Sequence, residues 1–522
     1  MDKTWAIAGT DLLLNLGGTR VRAGLEAGLR AALQSGRLAP GTRLPSSRAL
    51  AADLGIARNT VAEAYGQLSA EGWLTGRTGS GTWVAGSPGQ AAPVLDAPRP
   101  QPHEPRYDLR PGVPDLSLFS RRAWLQAARK ALNAAADNVL GYPDPRGLPE
   151  LRAALAGYLA RARGVAASPG QVVVCSGFGH GLAVLCRVVR ARGARAIAVE
   201  AYGHQAHRRI AEANGLRTVP LPVDGDGAVV SGLTGQDATG TGCGAVLLTP
   251  AHQFPLGITL APQRRRDAIA WAIGGDRLVI EDDYDGEFRY DRQPVGALQA
   301  LAPGHVVYAG TASKSLVPGR RLGWLVVPPG VIDEVLAAKE AAGAFTSALD
   351  QLTLAELITS GSYDRQVRQA RLSYRRRRDR LVSALGRDAP HVRIAGISAG
   401  LHALALLPPG QAEDPVIATG ARHGIAIDGL GSYRSADSGR PAGPGADGLG
   451  ADGLGTDGTG ADGLGTDLTG ADGTSADGAG EAEHPPALVV GYARPPDHAF
   501  TTALARLSAT LSAQQPGHAA GH

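Results

Sequence analysis

The sequence predicts two units of different class. A small α+β unit of helices closed by a β-hairpin comes first. A large α/β unit on a buried, mostly parallel sheet follows, with a small C-terminal α/β subdomain. Three observations carry this. Apolar residues recur at helical spacing over residues 20–72 and then give way to a short strand–glycine–strand pattern. Residues 172–312 contain five unbroken apolar runs, each followed by a polar or glycine-rich loop. Between the two patterns, GSPGQAAPVLDAPRPQPHEPR (86–106) is rich in proline and poor in large apolar residues, as a semi-rigid linker is.

At 522 residues the chain is too long for one core. A hydrophobic fraction of 43% is that of a globular protein, and the formal charge of +4 announces no polyanion partner by itself. Three cysteines, Cys175, Cys186 and Cys243, lack metal-ligand spacing and are odd in number, which excludes a disulfide scaffold and a zinc site and points to a reducing cytoplasm. No metal is expected. The opening MDKTWAIAGTDLLL has no basic segment leading into a sustained apolar core, so no secretory signal is expected, and no apolar run is long enough to span a membrane.

The first unit is placed at residues 11–85. Val21, Leu25, Leu29 and Leu33 share one helical face. Ser46 or Ser47 can cap a second helix carrying Leu50 and Leu54, which Gly55 stops. A third begins near Arg58, packs through Val61, Ala64 and Leu68, and ends at Gly72. Two short helices joined by LGIA form a helix-turn-helix, and WLTGRTGSGTWV forms a wing. The last helix presents Arg58, Asn59 and Thr60 at its start, where recognition helices meet bases and phosphates. Arg43, Arg48 and Arg77 can neutralise phosphates, and Ser46 lies beside them. Residues 1–85 hold nine Lys/Arg against six Asp/Glu. The run RLAPGTRLPSSRALAADLGIARNTVAEAYGQLSAEGWLTGRTGSGTWV resembles the winged helix-turn-helix of GntR-family transcription regulators, which implies double-stranded operator DNA as partner.

The large unit is placed at 107–512. Its five runs are QVVVC, RAIAVE, AVLLTP, RLVIEDD and HVVYAG. Ligands of parallel sheets gather at strand carboxyl ends, so the loops after these runs can converge. Gly177, Phe178 and Gly179 open a helix whose exposed N–H groups suit a phosphate. Ser313 and Arg321 add a hydroxyl and a bidentate cation for the same anion. Asp282 can hold a pyridine nitrogen protonated. Lys314, set between Ser313 and Ser315, can form a Schiff base with an aldehyde. Phosphate, pyridine and aldehyde together describe pyridoxal 5′-phosphate. Each residue alone is ordinary; their joint occurrence carries the reading.

The strings RPGVPDLSLF, GYPDPRGLPELR, TPAHQFPLG, EDDYDGEFRY and TASKSLVPGRRLGW resemble those of MocR-type regulators, the GntR subfamily with a fold type I aminotransferase-like domain. The resemblance spans nearly the whole chain. It implies that Lys314 carries the internal aldimine, Asp282 pairs with the ring nitrogen and Tyr284 lies near the phenolic oxygen. It further implies that His252 and Gln253 border the ring, that Ser313 and Arg321 hold the phosphate, and that Arg494 grips a substrate or effector carboxylate. It also implies a homodimer. The chain departs from the pattern in EAYGH, where His204 stands at the usual ring-stacking tyrosine, and at His180, where glutamine is common.

Residues 436–486 break the C-terminal part. Aspartates fall every five residues from 447 to 477, a period that does not suit known calcium repeats. A disordered acidic insertion is expected there, and a frayed tail over 513–522. The sum is a cytoplasmic transcription regulator that senses pyridoxal phosphate or an amino compound. An active aminotransferase with a DNA-binding head is the alternative.

Overall fold

The computed structural model describes residues 21–77, 81–85, 105–233, 242–290, 295–343, 345–435 and 484–513. The wing tip, most of the proline-rich linker, the aspartate repeat and the tail from 514 lie outside the described residues, as does the side chain of Arg77. The chain divides into two units, Met1–Pro102 and His103–His522.

In the first unit, α1 (Val21–Gln34) buries Leu25, Leu29, Ala32 and Leu33. Val21, expected on this face, is 40% exposed because it begins the helix, short of the core. Ser46 rather than Ser47 caps α2 (Ser47–Leu54): its Oγ accepts from the Ala49 N–H at 3.1 Å, and Gly55 closes the helix in the left-handed region. Helix α3 (Arg58–Ala70) buries Val61, Ala64, Tyr65 and Leu68 against the same core. The hairpin of β1 (Leu74–Arg77) and β2 (Gly81–Val84) then pairs Leu74 with Val84 and Arg77 with Gly81.

The second unit opens with β3 (Tyr107–Asp108), α4 (Arg121–Ala134) and α5 (Pro149–Arg163). Its main sheet is built from β4 (Val172–Cys175), β5 (Ala196–Glu200), β6 (Arg217–Leu221), β9 (Cys243–Leu248), β10 (Leu278–Asp282), β11 (Val306–Thr311) and β12 (Gly323–Val326). A small hairpin of β7 (Val223–Asp224) and β8 (Gly227–Ala228) lies between β6 and β9 in sequence. The sheet order is β4-β12-β11-β10-β9-β5-β6. All neighbours run parallel except β12, which is antiparallel to both β11 and β4. All five expected runs are strands of this sheet. Both faces are covered, which is why those runs do not alternate with polar residues. Val172 and Val174 pack towards α4 and α5, while Val173 and Cys175 pack towards α6 (Phe178–Ala191).

The 27-residue helix Ser362–Asp388 leads to the small subdomain. There β13 (Arg393–Ala395), β14 (His402–Leu406), β16 (Asp428–Gly429) and β17 (Ala487–Gly491) form an antiparallel sheet in the order β13-β14-β17-β16. The adjoining β15 (Ile425–Ala426) pairs in parallel with β3, so the start and the end of this unit are joined.

Candidate functional site

The carboxyl ends of β5, β9 and β10 open into a cleft. Glu200, Thr249, Asp282 and Tyr284 line it at the strand ends, and His204, His207 and Phe254 wall it. These groups come from three separate strand-loop junctions, as the parallel topology requires.

Asp282 is the last residue of β10 and is buried. Burial, opposed by the positive charge of Lys314, pushes its carboxyl well above the ordinary range. Lys314 follows β11 and is itself held below the ordinary lysine value by burial, opposed by Asp282 and Asp285. The two groups stand at the ends of neighbouring parallel strands, with Asp282 in register with Ala309 of β11. Lys314 donates a hydrogen bond to the Gly112 carbonyl. A depressed lysine is the form that can attack a carbonyl carbon, since only the neutral amine is nucleophilic.

A second layer holds the loops. His252 Nδ1 lies 2.7 Å from Asp285 Oδ2 and 3.1 Å from the Tyr284 hydroxyl, so one buried carboxylate orients both rings. The Gln253 amide is spent on the protein. It donates to Glu200, to the Tyr202 carbonyl at 2.9 Å and to the Phe254 carbonyl at 2.7 Å, and it accepts from the Leu256 N–H. Gln253 thus shapes the loop that carries Phe254. Glu200 accepts from the Thr249 hydroxyl at 2.6 Å, and burial raises its pKa to about 7. His204 stacks on Phe254 at 4.0 Å with an interplanar angle of 14°. The ring at the expected stacking position is therefore held flat by a neighbour.

Gly177 sits before α6 at φ +85°, and Arg321 follows β11 at φ +49°. A Cβ on Gly177 would lie 3.5 Å from the Arg321 guanidinium carbon. The bare backbone of the α6 entry and the guanidinium thus share one small cradle. Ser313 follows β11, its Oγ 3.0 Å from Thr311 Oγ1, and the register partner of Thr311, Gly323, packs against the Gly177 backbone. Phe178 starts α6 and packs edge-on to His207 at 4.8 Å. An anion donor set, a neutral-capable lysine and a buried carboxyl fit a phosphorylated pyridine aldehyde.

Arg494 lies elsewhere in the hydrogen-bond network. It pairs with Asp108 at 2.7 Å, and Asp108 also binds Arg110 at 2.6 Å. A ligand carboxylate at Arg494 would compete with Asp108. His180 accepts from the Ser176 N–H through Nδ1, and burial lowers its pKa to about 4. Sequence reasoning did not single out His207, Asp285, Thr249 or Asp108; the second aspartate of EDDYD was a signal that Asp282 had a buried acidic neighbourhood.

In the first unit, Arg43, Ser46, Arg48, Arg58 and Asn59 are exposed and Thr60 is half-buried. The Arg43 guanidinium lies 5.7 Å from the Trp83 ring centroid, held against the wing. Ser46 spends its lone pair on the α2 cap but keeps its proton to donate.

Residues 22–84 match the gntR family of bacterial regulatory proteins, and residues 112–434 match aminotransferase class I and II. The chain is 35% identical to the pyridoxine biosynthesis transcriptional regulator PdxR of Corynebacterium glutamicum, over 79% of this chain and 89% of that one. It is 34% identical to the probable rhizopine catabolism regulatory protein MocR of Rhizobium meliloti, over 68% and 75%. The chain belongs to the MocR-type regulators of the GntR family. These MocR-type relatives pair a helix-turn-helix with an aminotransferase-like domain. Among solved structures, an archaeal alanine:glyoxylate aminotransferase superposes with a TM-score of 0.63 at 23% identity, over 78% of this chain and 91% of that one. The kynurenine aminotransferase of Pyrococcus horikoshii gives 0.62 at 22%, over 78% and 90%. These two establish the fold type I architecture. Among the described residues no helix is long and apolar enough to cross a membrane, and no cluster of His, Cys, Asp or Glu suits a metal.

Proposed function

We propose that this MocR-type regulator binds pyridoxal 5′-phosphate at the β5–β9–β10 cleft and couples occupancy of that site to its grip on operator DNA in the cytoplasm. One observation carries the reading: Lys314 and the buried Asp282 stand at the carboxyl ends of two neighbouring parallel strands, β11 and β10, beside the cleft, in a chain that also bears a GntR-type domain. When bound, the cofactor supplies an aldehyde open to amine exchange and an electron-withdrawing ring. Lys314 would hold the aldehyde, Asp282 the ring nitrogen, and Gly177, Ser313 and Arg321 the phosphate. Tyr284 and His252, steered by Asp285, would border the phenolic oxygen. His204 on Phe254 would face the ring. Arg494 would take an effector carboxylate once Asp108 releases it. In the first unit, Arg58, Asn59 and Thr60 would reach the major groove, and Arg43, Ser46, Arg48 and Arg77 the phosphates.

A homodimer belongs to this reading. Leu125 and Leu132, two turns apart on α4, are 67% and 45% exposed, and Leu140 and Tyr142 are 58% and 99% exposed nearby in sequence. Apolar side chains so exposed favour a partner surface. Two DNA-reading units per dimer would suit paired half-sites.

The test is a titration of wild type and Lys314→Ala with pyridoxal phosphate, followed by visible absorbance, with borohydride reduction and peptide mass mapping. The expected result is a new band in wild type alone and a phosphopyridoxyl adduct on Lys314. No band and no adduct in wild type would remove the cofactor from the account. A turnover assay with amino donors and keto acceptors decides the aminotransferase alternative: sustained product formation would support it.

A further inference from the structure

The 27-residue helix Ser362–Asp388 contains nine arginines in SYDRQVRQARLSYRRRRDRLVSALGRD. They have two different fates. Arg377 is buried, with Asp115 and Asp497 on its guanidinium. Arg371 donates to the Glu287 carbonyl, Arg380 to Thr501, Arg365 to Ser362, and Arg387 pairs with its neighbour Asp388. Arg378 is half-buried on another side of the helix, whereas Arg368, Arg375 and Arg376 are exposed and join no carboxylate among the described residues. At 3.6 residues per turn these three share one face with Arg365. Gln369, Leu372 and Asp379 complete that face, so Asp379 is its one acid between residues 365 and 380.

Arg365 and Arg368 stand three apart and Arg371 and Arg375 four apart, like-charge spacings that destabilise a helix, so folding alone gives no reason to hold exposed cations that find no ion pair among the described residues. A polyanion partner gives one. Seven to eight residues separate Arg368 from Arg375 and Arg376, which is about 11–12 Å along a helix axis. The major groove of B-DNA is about 12 Å wide, so arginines at the two ends can meet phosphates on opposite walls. The rigid helix fixes the spacing, and guanidinium groups bind phosphate bidentately. The same chain carries a GntR-type domain, so duplex DNA is a polyanion that this protein is already built to meet.

We propose that the Arg368–Arg375–Arg376 face of the large unit is a second, sequence-independent contact for duplex DNA. It would grip the phosphate backbone beside the site read by the helix-turn-helix. This rests on the DNA-binding part of the functional reading and not on its cofactor part. Phosphate contacts position a protein without carrying sequence information, so the face would add affinity and salt dependence but no base preference.

The experiment uses the full chain and two mixed-sequence duplexes, of about twenty and about sixty base pairs. Binding is measured by fluorescence anisotropy across a salt series for wild type, for R368Q/R375Q/R376Q, for R368K/R375K/R376K and for R58Q. Each lost phosphate contact lowers the slope of log K against log salt by about 0.9. The glutamine triple variant should lose about two to three units of slope on the long duplex and much less on the short one. The lysine variant should keep most of it, and thermal unfolding of both should match wild type because the three positions are exposed. If the glutamine variant keeps the wild-type slope on the long duplex while R58Q loses affinity, the face is not a DNA contact. If wild type binds neither duplex, the DNA reading itself fails and the proposal falls with it.

Discussion

Arg163 and Asp283 form a buried bidentate pair, with guanidinium–carboxylate distances of 2.6 and 3.0 Å, one residue beyond Asp282. Asp283 also accepts from the Tyr308 hydroxyl at 2.7 Å, and Arg163 donates to the Gly286 carbonyl. The end of β10 is thereby locked from both α5 and β11, and Asp282 inherits a fixed place. Removing one partner of such a pair leaves an uncompensated buried charge, which costs about 3–5 kcal/mol. Arg163→Ala should therefore lower unfolding stability by that amount in denaturant titrations. Restoring neutrality with Asp283→Asn in the same chain should recover part of it. A loss below about 1 kcal/mol would show that the pair is dispensable.

Gly177→Ala tests the anion cradle. The backbone there has φ +85° and ψ 173°, an extended positive-φ region that only glycine adopts readily and that costs an alanine about 1–3 kcal/mol, and the new methyl meets the Arg321 guanidinium. Pyridoxal phosphate affinity should fall roughly tenfold. Pyridoxal without the phosphate should bind both proteins alike. Equal losses for the two ligands would place the defect outside the phosphate cradle.

His402 sets a pH dependence. It is buried, its Nε2 lies 3.1 Å from the Pro255 carbonyl, and burial lowers its pKa to about 3. The unfolded chain takes up this proton near pH 6.5 and the folded chain does not. Stability from this residue is therefore complete above pH 6.5 and is lost as pH falls towards 3. His402→Phe should cost about 1–3 kcal/mol at pH 7.5, through the Pro255 carbonyl left unpaired. The gap between wild type and variant should narrow by roughly 2 kcal/mol at pH 5. A gap that stays constant from pH 7.5 to 5 would contradict a neutral His402.

Ser46→Ala removes the α2 cap and should destabilise that helix by about 1 kcal/mol. Hydrogen exchange over residues 47–55 in the full chain should speed up roughly fivefold, with exchange in the large unit unchanged. Unchanged exchange in α2 would mean that packing of Leu50 and Leu54, rather than the cap, holds it.

The sequence made some of this legible and hid the rest for physical reasons. The five central strands read clearly because both of their faces are covered, so their residues are continuously apolar. Strand β6, RTVPL, escaped because it is an edge strand: Arg217 and Pro220 face solvent, and only Val219 and Leu221 are buried. Strand β12, GWLV, is four residues long and sits inside the arginine-rich motif after Lys314. Its partner β4 lies some 150 residues away, and no local pattern announces such a pairing. Lys314, Asp282 and Gly177 were legible because each stands where a strand gives way to a loop, and Arg321 because it stands in the loop that leads into β12. His252 was legible as a loop residue, but its tie to Asp285 depends on two loops meeting. The pairing of Arg494 with Asp108 was invisible for the same reason: it joins segments nearly 390 residues apart.

The most direct measurement of the central claim is equilibrium selection of genomic fragments from the host by the full chain, with and without pyridoxal phosphate, for wild type and Lys314→Ala. A ligand shifts a conformational equilibrium only through different affinity for its two states, so coupling must appear as a change in DNA affinity. The account predicts that pyridoxal phosphate changes the affinity of wild type for its selected fragments about five- to a hundredfold. It predicts no such change in Lys314→Ala, which should still bind DNA. An identical DNA affinity of wild type with and without the cofactor, at saturation of the Lys314 site, would contradict it.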